Sequence, residues 1–115
     1  MIDFACKKFD LEEVIKCGLS LTKADFFILK FLIKNNSEFD SLNVSKKLKI
    51  DLSSAQRSLK KLREKGLVKR KQINLSSGGY VYKYSSKPKS EIKGMILDIV
   101  KSWSKRVEEE LELWA

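Results

Sequence analysis

Histidine is absent from the 115 residues, which removes the commonest general base and metal ligand. Cysteine is nearly absent too. Cys6 and Cys17 are the only two, and by themselves they cannot complete a four-ligand zinc site. Cys17 is expected on the apolar side of an N-terminal helix, where a free thiol behaves as a small hydrophobe. A redox-sensing thiol pair is the sharper alternative. No glycine-rich phosphate loop or serine elbow occurs. No run is long and apolar enough to span a bilayer, and the first residues lack the layout of a signal peptide. These absences argue against an enzyme, a cofactor or metal, and a membrane partner. They lead us to expect a soluble, cytoplasmic chain with room for one domain.

Acid is missing from one place in particular. Residues 67–90 carry six Lys/Arg and no Asp or Glu, net +6. Residues 22–66 carry eleven against five, also net +6. The ends are near neutral: three against four over residues 1–21, and four against six over residues 91–115. The overall +9 is therefore focused on the middle of the chain. A focused basic surface on a folded domain is the footprint of a phosphate binder. The plainer reading is a lysine-rich solvated surface.

The elements follow from caps and spacing. DLEEVIKCG suits a short helix, capped by Asp10, with Glu12 and Glu13 in its first turn and Gly18 to end it. Leu11, Val14 and Ile15 form its apolar face, with Phe4 and Phe9 just before. Thr22 and Asp25 have capping-box spacing. They open a helix whose Phe26, Phe27, Ile28, Leu29, Leu32 and Ile33 make it the buried spine of a small domain, with Asn35 and Asn36 as breakers. Asp40 or Ser41 opens a third helix, with Leu42, Val44 and Leu48 inward and Lys46, Lys47 and Lys49 outward. Ile50 and Asp51 form the turn. Asp51 caps a fourth helix, which Gly66 ends.

In that fourth helix Leu52, Ala55, Leu59 and Leu62 fall on a stripe about 80° wide. The other side shows Ser53, Arg57, Lys60, Lys61 and Glu64, flanked by Ser54 and Gln56. A recognition helix needs this arrangement, because its early residues meet base edges while long cations reach phosphates. Taken alone it is equally an ordinary solvated face.

LVKRKQIN then reads as a strand, LSSGG as a turn and YVYKYSS as the return strand, with Gly78 and Gly79 supplying positive φ. Tyr80, Tyr82 and Tyr84 share one face of the return strand. They read as structural, packed on helices with their hydroxyls at the edge, in preference to base-stacking. Lys69, Arg70, Lys71 and Lys83 charge the hairpin. After Pro88 comes one helical pattern of about 24 residues, roughly 36 Å long. Ile92, Ile96, Ile99, Trp103, Val107, Leu111 and Trp114 are spaced 4, 3, 4, 4, 4 and 3. The spacing slips from a heptad after Trp103, which argues against a long regular coiled coil. A second subunit, together with the N-terminal segment, is expected to cover this stripe. The alternative is a helix folded back on its own domain.

The stretch VSKKLKIDLSSAQRSLKKLREKGLVKRKQ resembles the helix-turn-helix of the MarR-like and TrmB-like winged-helix regulators of archaea and bacteria. Leu48, Ile50, Ser53, Ser54, Arg57, Leu59, Leu62, Gly66, Leu67 and Val68 carry the resemblance, and the trailing GGYVYKYSSKP looks most like short archaeal TrmB-like proteins. The similarity covers about residues 20–112 and marks fold better than target. Asp51 stands where a capping serine is common, which keeps the cap chemistry. Longer sugar-sensing relatives carry an effector domain for which this chain is too short, so sugar sensing does not carry over.

The expected fold is mainly α with a small β-hairpin wing. It divides into an N-terminal helical extension (1–21), a winged helix-turn-helix DNA-binding domain (22–87) and a long C-terminal dimerisation helix (88–115). The expected function is that of a homodimeric, sequence-specific double-stranded-DNA-binding transcriptional regulator. Ser53, Ser54, Gln56 and Arg57 would read bases. Lys46, Lys47, Lys60, Lys61, Lys69, Arg70, Lys71 and Lys83 would hold phosphates or form the wing. Ile92, Ile96, Ile99, Trp103, Val107, Leu111 and Trp114 would build the dimer. The alternatives are a protein-interaction module of transcription or replication machinery, and an RNA binder. The sequence names no small-molecule effector.

Overall fold

The computed structural model describes residues 2–4 and 7–114. Cys6, and with it any pairing to Cys17, lies outside them. The elements are β1 (Ile2–Phe4), β2 (Lys7–Phe9), α1 (Leu11–Leu19), α2 (Lys23–Asn35), α3 (Ser41–Leu48), α4 (Leu52–Glu64), β3 (Val68–Asn74), β4 (Tyr80–Ser86) and α5 (Lys89–Leu113). They form two compact units, one of residues 21–89 and one of residues 1–20 with 90–115.

The unit of residues 21–89 is a winged helix. Thr22 and Asp25 form the capping box, Asp25 N donating to Thr22 Oγ1 at 3.1 Å and Thr22 N donating to Asp25 Oδ2 at 3.0 Å. Asn36, in the left-handed region at φ 45°, closes α2. Ile28, Leu29 and Leu32 are buried, with Val44 from α3, Ala55, Leu59 and Leu62 from α4, and Leu67 and Val68 beyond it. Leu42 and Leu52 are exposed, contrary to expectation. Each sits in the first turn of its helix, ahead of the residues that meet the core. Phe27, on the broad apolar face of α2, is exposed as well.

After α4, Gly66 takes φ 77°, and Leu67 N donates back to Leu62 O at 3.0 Å. Only glycine reaches this conformation without steric cost, so the chain reverses sharply into β3. β3 and β4 pair antiparallel from Val68↔Ser86 to Asn74↔Tyr80. Phe39, in the linker between α2 and α3, exchanges backbone hydrogen bonds with Tyr84 at 2.7 and 2.9 Å. That bridge fixes the base of the wing to the helices.

In the other unit, β1 and β2 pair antiparallel with Ile2 opposite Phe9. Three-residue strands are too short to show a period, so nothing in the sequence signals them. Asp10 caps α1 by accepting from Glu12 N at 3.0 Å. Gly18 does not end this helix. Ser20 does, at φ 55°, and Gly18 serves packing instead, since a β-carbon there would lie 3.4 Å from Ile99 Cγ2 of α5. Cys17 is exposed, not on the apolar side. Two residues on from Ile15, it points about 160° away from that side chain. Leu19 is buried, Val14 and Ile15 are half-buried, and Leu11 is exposed.

Along α5 the apolar stripe divides. Ile92 is buried and Ile96 and Ile99 are half-buried. Trp103, Val107, Leu111 and Trp114 are 61, 46, 57 and 79 % exposed. The chain covers the first half of the stripe and leaves the second half open. No helix among the described residues is long and apolar enough to cross a membrane.

Candidate nucleic-acid interface

The turn between α3 and α4 sets the geometry of the site. Lys49 closes α3 in the left-handed region at φ 57°, and Ile50 N donates to Ser45 O at 3.0 Å. Asp51 then caps α4. Its carboxylate accepts from Ser53 Oγ at 2.6 Å, Ser54 Oγ at 2.7 Å and Ser54 N at 3.2 Å. These hydrogen bonds, the Ser53 and Ser54 hydroxyls foremost, hold the Asp51 carboxyl down at about 2. Asp51 therefore stays ionised across the ordinary pH range, and it fixes both serines.

Arg57 joins the same network, its Nη2 donating to Ser54 Oγ at 3.2 Å. Asp51, Ser54 and Arg57 thus form one chain of contacts along the exposed face at the start of α4. Asp51, expected only as a helix cap, also links two of the residues expected to read bases, Ser54 and Arg57. What the sequence did not reveal is that the hydroxyl protons of Ser53 and Ser54 point back to Asp51. Each serine oxygen still has acceptor capacity, and Ser54 uses some of it to steer Arg57. Gln56 and Lys60 are exposed on the same helix. Lys46 and Lys47 are exposed on α3.

Lys61 is not free in the same way. Its Nζ lies 2.7 Å from Asp25 Oδ2, with the Asp25 side chain 5 % exposed. Burial pushes the Asp25 carboxyl up, but Lys61, the Thr22 amide and the Ser58 hydroxyl together bring it below its ordinary value. Lys61, expected on a phosphate, has a structural partner. The pairing joins residues 36 positions apart, so nothing local in the sequence signals it. Lys83 is similar but looser, with its Nζ 3.8 Å from Asp40 Oδ2.

The wing has two chemically different faces, because side chains alternate along each strand. Lys69, Lys71 and Lys83 lie on one, with Lys71 directly opposite Lys83. Like charges in that register repel unless an anion or a carboxylate relieves them. The other face carries Arg70 and Gln72 opposite Tyr84 and Tyr82. The Arg70 guanidinium lies over the Tyr82 ring, 3.9 Å from its centroid. Tyr82 and Tyr84 are half-buried, whereas Tyr80 is 57 % exposed and meets Tyr82 edge-on at 5.2 Å. The tip tyrosine is therefore not packed on a helix as expected.

Comparison with known proteins fits this geometry. The model of the DnaD N-terminal domain matches residues 9–107. A solved structure described as a possible transcriptional regulator from Methanosarcina mazei is 49 % identical, with 99 % of this chain and 96 % of that one covered and a TM-score of 0.94. An uncharacterised protein of Methanocaldococcus jannaschii is 29 % identical over 93 % of this chain and 83 % of its own. MarR of Staphylococcus aureus is 19 % identical, covering 87 % of this chain and 65 % of that one, at a TM-score of 0.55; at that distance the likeness is one of fold. The expected kinship with winged-helix regulators thus holds in architecture, and by sequence this chain belongs to the DnaD N-terminal domain family.

Proposed function

We propose that this protein is a sequence-specific, double-stranded-DNA-binding transcriptional regulator that works as a homodimer. The observation that carries the reading is the Asp51–Ser54–Arg57 network on the exposed start of α4, beside a wing whose sequence contains no acid. It presets a guanidinium where a recognition helix meets base edges. The 49 % identical Methanosarcina protein, described as a possible transcriptional regulator, supports the same class. Arg57 would pair with guanine and Gln56 with adenine, the partners their geometry favours. Ser53 and Ser54 would contribute oxygens as acceptors. Lys46, Lys47, Lys60, Lys69 and Lys71 would hold phosphates, while Lys61 and Lys83 hold the scaffold. α4 would enter the major groove, and the wing would lie on the backbone or in the adjacent minor groove. The open half of the α5 stripe would close against a second copy.

Selecting bound fragments from a random or genomic DNA library tests this reading. Enrichment of a common, near-palindromic site is expected. Absence of enrichment over a charge-matched control protein would reject it. A second reading, a docking module for other proteins, is favoured by the exposure of Trp103 and Trp114. It predicts activity that survives neutralisation of Arg57 and Lys60.

A further inference from the structure

Duplex binding leaves the aromatic face of the wing unexplained. Double-stranded DNA presents phosphates and base edges, and Lys and Arg suffice for the former. The faces of its bases are stacked away. Yet Tyr80 stands at the tip of the hairpin, 57 % exposed, where it covers no core. Its ring meets Tyr82 at 5.2 Å, and the Arg70 guanidinium stacks on Tyr82 from the other side of the ladder at 3.9 Å. Gln72, opposite Tyr82, is exposed and donates to Asn74 Oδ1 at 3.3 Å. The face is thus a strip of planar groups: two tyrosine rings, a guanidinium and two amides.

We infer that this face is a stacking platform for unpaired bases, so that the protein binds single-stranded DNA adjoining the duplex held by α4. The inference rests on the nucleic-acid reading above. Charge complementarity calls for a polyanion, because residues 67–90 are net +6 without one acid, and the exposed ring calls for one whose bases are unpaired. Aromatic rings supply the sequence-tolerant contact, since every base has a π-face. The amides of Gln72 and Asn74 reach hydrogen-bonding edges that unpaired bases leave open. Lys69 and Lys71, on the opposite face, remain available to backbone phosphates. The wing would thereby serve both parts of a junction.

The test is fluorescence anisotropy with the full chain and three probes of one sequence: a blunt duplex, the same duplex with a single-stranded thymidine tail, and the duplex with an abasic tail of equal length. The abasic tail carries the same phosphates but no bases, so it removes the purely electrostatic gain. The wild-type protein is expected to bind the thymidine-tailed probe about tenfold more tightly than the abasic-tailed one, the size of one stacked base. Tyr80→Ala should abolish that difference, while Tyr80→Phe, which keeps the ring, should preserve it. Equal affinity for the two tails, with the blunt duplex still bound, overturns the platform and spares the duplex reading. Preference for the thymidine tail without blunt-duplex binding does the reverse. No binding to any probe rejects both.

Discussion

The Lys61 ammonium sits 2.7 Å from the Asp25 carboxylate, tying the last turn of α4 to the first turn of α2. Asp25 also completes the capping box with Thr22. One buried carboxylate therefore starts one helix and sets the pose of another, the one that carries Arg57. Removing one partner of a buried pair leaves the other desolvated without compensation. Lys61 is 37 % exposed on its side chain and gains water easily; Asp25 does not. Lys61→Met should thus cost about 1–3 kcal/mol, chiefly by taking the cationic partner from Asp25, which keeps only the Thr22 and Ser58 hydrogen bonds, and Asp25→Ala a similar amount through the lost cap and pair. Urea unfolding of the two variants measures both.

Acid stability follows from the same pair. The folded Asp25 carboxyl lies below its ordinary value of 3.8, so its contribution is present above that value and is lost as pH falls through the lower, folded one. In Lys61→Met the burial that raises the Asp25 pKa is less opposed. The acid-side loss should then be smaller in the variant, and the stability gap between wild type and Lys61→Met should narrow as pH falls. Thermal melts between about pH 2 and 6 decide this, and a gap that stays constant would mean that Lys61 is irrelevant to the carboxyl.

Base readout and phosphate contact are separable by mutation. Arg57→Ala should lose about 1–3 kcal/mol on the selected site and flatten preference at one position. Lys60→Ala should weaken selected and scrambled duplexes alike. Equal losses on both DNAs for Arg57→Ala would make it a phosphate contact. Titration against salt checks the rest. If each protomer of a dimer neutralises about four phosphates, the log–log slope should be on the order of −7.

Self-association should reside in the open half of the α5 stripe. Trp103→Ala is expected to weaken the dimer by several kcal/mol if the indole is a buried anchor there. Removal of residues 100–115 should give a monomer or an insoluble chain. Sedimentation of the full chain at micromolar concentration is the first measurement, and a monomer would remove the two-fold model. With the dimer goes the expectation of half-sites about 34 Å apart.

One backbone position is open to improvement. Lys49 closes α3 at φ 57°, a conformation that costs a side chain with a β-carbon about 1 kcal/mol. Lys49→Gly should therefore raise stability by up to about 1 kcal/mol. Asn36, at φ 45°, tolerates the same region better, so Asn36→Gly should gain less. Parallel unfolding curves rank the two.

Much of this was legible in the chain itself. Caps at Asp10, Thr22, Asp40 and Asp51, the period of α4 and the alternation of the hairpin are local properties, and local sequence determines them because their partners lie within a few residues. The focused charge is equally local, which is why Lys46, Arg57 and Lys69 stood out as binding candidates without coordinates. What the tertiary structure decided are relations between residues far apart in sequence. It placed Lys61 on Asp25, made Gly18 a packing residue against Ile99 and not a helix stop, and turned Cys17 outward. It left Tyr80 bare at the tip of the wing and divided the α5 stripe into a covered and an open half. Periodicity names the face of a helix that wants burial; only the arrangement of the other elements determines how much of that face finds a neighbour.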